Sequence, residues 1–126
     1  MKKKQNITWF DLETTGLNIN TIGLVSIYAI NYKLKREIDT LINPEIDIPK
    51  EASEVHGIYK KHIKDKPTFK DISTSVKETF SLSEYVGGYN ICRYDVPLLI
   101  SLYQRNNVNF DIKNIKFVDV FYIIKN

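Results

Sequence analysis

The sequence has one cysteine, Cys92, so no intrachain disulfide can form. Nothing in its cysteine use argues against a reducing compartment. Glycine and proline are scarce, at five and four of 126 residues, which leaves no segment that reads as a long linker or low-complexity tail. No apolar run reaches the roughly 18–20 residues needed to cross a bilayer. The basic N-terminus, Met1-Lys2-Lys3-Lys4, is not followed by the apolar core of a signal peptide. A cytoplasmic protein is the expectation. An excess of one charge is also missing: 18 basic residues face 15 acidic ones, for a net charge of +3. Bulk charge alone therefore identifies no partner. There is no internal repeat.

What is present is an ordinary globular composition, 43% hydrophobic and 26% charged. The length suits a single domain over residues 1–126. Two basic clusters stand out, Lys2 to Lys4 and the group Lys60, Lys61, Lys64 and Lys66. Such clusters either attract phosphate or form a solvated face.

Residues 7–13 read as a strand rich in β-branched and aromatic side chains, broken by Thr14-Thr15-Gly16. Residues 22–32 and 37–42 are two further runs, and the short connections suggest an antiparallel meander. Asn43-Pro44 and Ile48-Pro49 mark a loop. A helical pattern begins at Lys50, with Ala52, Val55 and Ile58 in register and Gly57 interrupting. After Pro67-Thr68, Phe69, Ile72, Val76 and Phe80 form an apolar stripe at helical spacing. Tyr85-Val86 reads as a short strand entering Gly87-Gly88. Residues 96–105 read as a helix, 115–118 as a last strand, and Val120 as the start of another helix. A meander followed by alternating units predicts an α/β fold, with a mixed sheet flanked by helices.

The chemistry concentrates in Phe10-Asp11-Leu12-Glu13-Thr14-Thr15-Gly16-Leu17. Side chains alternate along a strand, so Asp11 and Glu13 project to one side, about 7 Å apart. Two like charges on one face repel unless a cation lies between them. A hard divalent ion that prefers carboxylate oxygen is the simplest solution. Alternatively, the pair is a solvated acidic strand end.

This string resembles the first motif of the DEDD-type (DEDDh, DnaQ-like) 3′–5′ exonucleases, the family of the polymerase proofreading subunit, oligoribonuclease and ribonuclease T. Other segments follow in the family's order: Asn43-Pro44, Pro49, Val55-His56-Gly57-Ile58, Pro67-Thr68-Phe69, Gly88-Tyr89-Asn90 through Arg93-Tyr94-Asp95, and Phe117-Val118-Asp119. The resemblance spans roughly residues 6–125 and implies a ribonuclease H-like sheet, a three-stranded antiparallel meander plus parallel strands. Tyr89 stands where a His is commoner, and Asn90 and Asp95 are five apart rather than four.

The resemblance further implies a two-metal hydrolase using Mg²⁺ or Mn²⁺, releasing nucleoside 5′-monophosphates from the 3′ end of single-stranded DNA or RNA. Asp11, Glu13 and Asp95 would be the catalytic, metal-holding carboxylates. Thr15, Gly16, Leu17, Ala52, Val55, His56, Asn90 and Tyr94 would meet the substrate. His56 can equally be a structural, hydrogen-bonded His. Asp95, which precedes Val96-Pro97, can also be a helix N-cap, and Asp119 reads as a cap or structural residue. Cys92 reads as a packed small side chain, and His62 as part of an exposed helical face. The family's third motif, a His with an Asp five residues on, is expected to be missing, making this the N-terminal two-thirds of the domain. A polymerase, or a chain supplying that segment, would then be a partner. The competing reading is a catalytically impaired nucleic-acid-binding or interaction module of the same descent.

Overall fold

In the computed structural model, which describes residues 4–16, 18 and 20–125, five strands form one mixed sheet in the order β3-β2-β1-β4-β5. The strands are β1 (Ile7–Thr14), β2 (Leu24–Asn31), β3 (Arg36–Leu41), β4 (Tyr85–Gly88) and β5 (Phe117–Asp119). β1, β2 and β3 make the antiparallel meander, and β4 and β5 run parallel to β1. The helices are α1 (Lys50–His56), α2 (Lys60–Ile63), α3 (Phe69–Leu82), α4 (Asp95–Arg105) and α5 (Val120–Lys125), with a 3₁₀ turn at Ile112–Asn114. The expected α/β class and the mixed ribonuclease H-like sheet are what the molecule has.

Alternation along β1 divides the sheet into two faces. Thr8, Phe10 and Leu12 are buried, while Trp9 and Asp11 are exposed. Phe10 and Leu12 join a core with Leu24, Ile27, Phe69, Val76, Phe80, Leu98, Leu99 and Leu102, so α3 and α4 cover this face. The stripe on α3 is thus buried as its spacing predicts, and Phe80 meets Phe10 edge to face at 5.2 Å. Thr68 caps α3: its hydroxyl accepts from the Asp71 N–H while Asp71 answers the Thr68 N–H at 2.9 Å.

The differences from the sequence reading are local. The strand expected to break at Thr14 continues through it, because Thr14 pairs with Leu24 after a bulge. Gly57 ends α1 at φ 73°, a left-handed conformation that suits glycine. His62 lies on the short, largely exposed α2, as its sequence context suggests; the 3₁₀ turn was not anticipated.

Candidate active site

Three segments converge at the C-terminal end of β1. Register places Asp11 opposite Tyr28 and Glu13 opposite Ser26 on the open face. Beyond Glu13 the chain is tied down at each step. The Thr15 N–H donates to the Gly23 carbonyl at 3.0 Å, and the Gly23 N–H donates to Thr15 Oγ1 at 2.9 Å. Thr15 is buried and occupied by this exchange. This exchange shapes the backbone around Gly16. Leu17 lies outside the described residues.

His56, at the end of α1, reaches the same segment. The Ile58 N–H donates to Nδ1 at 3.1 Å, which leaves Nε2 carrying the proton and donating to the Thr14 carbonyl at 3.1 Å. Both ring nitrogens are engaged with backbone, so of its two readings the structural one accounts for these contacts. Val55 is 85% exposed and Ala52 partly so.

The third segment comes from β4. Gly88 is tightly enclosed: a Cβ there would lie 2.5 Å from Ile91 Cγ2 and 2.8 Å from the Phe10 carbonyl oxygen. Asn90 then turns the chain at φ 57°. Asp119, at the end of β5, holds this turn. Its Oδ1 accepts from the Asn90 N–H at 2.7 Å and its Oδ2 from the Cys92 N–H at 3.0 Å. Oδ1 also accepts from the Phe121 N–H at 3.0 Å, the capping of α5 expected from sequence. Burial alone would raise the Asp119 carboxyl, but hydrogen bonds from Cys92, Phe121 and Asn90 hold it below its usual value. Cys92 itself is exposed, which corrects the expectation of a packed thiol. The turn puts it outward while its backbone is gripped.

Asp95 is the first residue of α4 and not its cap; the N-cap is Tyr94, with no side-chain cap bond. The capping reading of Asp95 is therefore wrong. Its side chain turns toward β1. Its Oδ2 is buried with no hydrogen-bond partner. Burial, then the charge of Asp11, push the Asp95 carboxyl up to about 7; a hydrogen bond from the Leu12 backbone opposes this, and Glu13 and Asp119 add to the rise. Glu13 is also raised, by burial and then by Asp11, against a lowering from His56. The carboxylates expected from the sequence are thus close enough to feel one another.

An orphaned carboxylate oxygen beside two further carboxylates is a donor set that suits a hard divalent cation. Among the described residues, however, no three His, Cys, Asp or Glu side chains stand ready-gathered as a metal-holding group.

Two hollows adjoin the carboxylates. One, of about 210 Å³, is lined by Leu12, Thr14, Gly16, Ile22, Tyr94, Asp95 and Leu98. The other, of about 330 Å³, is lined by Asp11, Ser26, Tyr28, Asp39, Thr40 and Lys66, among others. Sequence reading missed Tyr28, Asp39 and Lys66 here. Only strand register reveals that neighbourhood.

A family model described as Exonuclease (RNase T) matches residues 8–126. The chain is 32% identical over 108 residues to the DNA polymerase III subunit epsilon of Rickettsia prowazekii (strain Madrid E), covering 79% of this chain and 46% of that protein. It is 34% identical over 106 residues to the same subunit of Rickettsia conorii (strain ATCC VR-613 / Malish 7), covering 78% and 45%. The chain spans about half the length of these relatives. Among solved structures, an apo Exonuclease I matches with a TM-score of 0.85 at 15% identity, over 98% of this chain and 30% of that one. At that identity the likeness concerns the fold.

Proposed function

The chain belongs to the DEDD-type, DnaQ-like exonuclease family, and from that premise we propose that it serves a metal-dependent hydrolysis of phosphodiester bonds at nucleic-acid 3′ ends. The observation that carries the reading is the buried, unpartnered Asp95 Oδ2 beside Asp11 and Glu13. These three carboxylates would hold Mg²⁺ or Mn²⁺. When bound, the cation would supply charge to neutralise the phosphate and a more acidic water.

The chain's own residues would do the rest. The hollow walled by Gly16, Tyr94 and Leu98 suits the terminal nucleotide, with an apolar wall for sugar or base. Asp119 fixes the turn that presents Asp95, and His56 fixes the backbone after Glu13. Such contacts grip shape and backbone and read no base edge, so little sequence preference is expected. The likeness to polymerase III subunits makes a polymerase a candidate partner.

The test is incubation with 5′-labelled single-stranded DNA and Mn²⁺. A ladder of 3′-shortened products, lost in Asp11→Ala, is the expected result. Intact substrate with both proteins would remove the hydrolytic reading for these 126 residues. One observation favours binding without turnover as the second reading. The histidines of the chain are His56, engaged with backbone at both nitrogens, and His62, whose Nδ1 accepts from the Tyr59 N–H at 2.9 Å. His56, the one beside Glu13, therefore has no ring nitrogen free to act as a general base. That reading predicts salt-sensitive strand binding and no ladder.

A further inference from the structure

The basic stretch between Lys60 and Lys66 is not absorbed by the carboxylate site, yet its last member reaches it. Lys66 lines the hollow of about 330 Å³ that also contains Asp11, Tyr28, Asp39 and Thr40. Its backbone is anchored on both sides. The Lys66 N–H donates to the Ile63 carbonyl at 3.1 Å, and the next carbonyl, that of Pro67, accepts from the Asn43 N–H at 2.8 Å. Ion pairs among the described residues join Arg36 to Glu78, Lys50 to Glu54 and Lys60 to Asp47; Lys66 has no such partner. Lys66 thus extends an exposed ammonium from an anchored backbone, outside any of these ion pairs and beside two carboxylates.

The two hollows share the carboxylate cluster but differ in character. The one with Asp95 is walled mainly by apolar side chains, Leu12, Ile22 and Leu98 among them. The one with Asp11 has polar walls and the lysine. Resting on the functional reading above, we propose that Lys66 contacts a phosphate of the retained strand, on the 5′ side of the scissile bond. The terminal nucleotide occupies the other hollow. Lys66 contributes a point charge to strand affinity and takes no part in bond cleavage. Asp39, in the same hollow, repels phosphate, so this lysine is what makes that wall permissive to the strand.

The experiment compares the full chain with Lys66→Gln, and with Lys33→Gln in the exposed β2–β3 turn as a charge-matched control. Binding of a fluorescent dT8 oligonucleotide is followed by anisotropy in Ca²⁺ at several salt concentrations, and thymidine 5′-monophosphate binding is measured alongside. Folding of each variant is checked by its thermal transition. The expected result is that Lys66→Gln lowers the slope of log affinity against log salt by about 0.7, the loss of one single-strand phosphate contact. Mononucleotide affinity should not change, and Lys33→Gln should match the parent in both. If Lys66→Gln binds dT8 with the parent's slope, or weakens mononucleotide equally, the inference is overturned. If the parent itself binds no dT8 at low salt, the functional reading fails instead.

Discussion

His56 Nε2 donates to the carbonyl oxygen of Thr14 at 3.1 Å, joining the end of α1 to the residue that follows Glu13. The second nitrogen is held by the Ile58 N–H, so the tautomer is fixed by geometry. Replacing His56 by Ala leaves a carbonyl and an N–H without these partners. A loss of about 1–3 kcal/mol in urea-unfolding stability is expected. An unchanged transition would mean that water replaces the ring without penalty.

Asp95 should make the metal-free protein less stable as pH rises. Its folded value, about 7, lies above the ordinary 3.8. The folded state therefore binds this proton more tightly than the unfolded state does. Its contribution is full below about pH 4 and is lost as pH climbs through 7. Thermal melts in chelator should show this decline in the parent and its absence in Asp95→Asn. A parent melt that is flat from pH 4 to 8 would contradict the burial and crowding described for this side chain.

Mn²⁺ should reverse that slope, because a cation satisfies Oδ2 and offsets the charge of Asp11 and Glu13. Calorimetric titration at pH 7.5 is expected to show Mn²⁺ uptake with proton release, much weakened in Asp11→Ala. Equal uptake by parent and variant would place the ion elsewhere.

Asp119 has the opposite sign. Its carboxyl is held below the ordinary 3.8 despite burial, by backbone N–H donors from Cys92, Phe121 and Asn90. That stability is present above pH 3.8 and is lost as pH falls through the depressed value. Asp119→Asn, which exchanges one acceptor for a donor, should cost about 1–3 kcal/mol by denaturant titration at pH 7. It should also weaken Mn²⁺ uptake, because the turn from Asn90 to Asp95 loses its brace. Destabilisation with unchanged uptake would show that Asp95 is positioned without it.

Gly88→Ala inserts a methyl 2.5 Å from Ile91 and 2.8 Å from the Phe10 backbone oxygen. Backbone cannot swing aside as a side-chain tip can, so a loss of about 1–3 kcal/mol is expected from thermal unfolding. A neutral result would require β4 and β1 to separate locally.

Local signals carried most of this fold into view before any coordinates. Phe69, Ile72, Val76 and Phe80 marked α3 because helical periodicity leaves a trace in sequence, and Asp11 and Glu13 marked the site because strand alternation does too. What stayed hidden depends on pairing. That Asp11 faces Tyr28, and that Tyr28 faces Asp39, is a matter of cross-strand register, which no single strand encodes. The capping alternative for Asp95 could not be dismissed from sequence, because Asp before a Val-Pro pair carries the same letters whether it precedes the helix or begins it. Cys92 was misjudged because residue type predicts average burial, and the outward bend at Asn90 is set by Asp119, distant in sequence.

The central strand of the sheet precedes both of its neighbours in the chain, and they arrive at different times. β2 follows directly and closes one side as a hairpin, but β4, which closes the other, begins only at Tyr85. At about 5–20 residues per second, a ribosome needs on the order of 4–14 seconds to bring it out. Through that interval Ile7, Thr8 and Trp9 present an unsatisfied backbone edge with apolar flanks to whatever is nearby. Synthesis past Gly88 lets β4 cover this edge, and passes the open edge to β4 until β5 arrives.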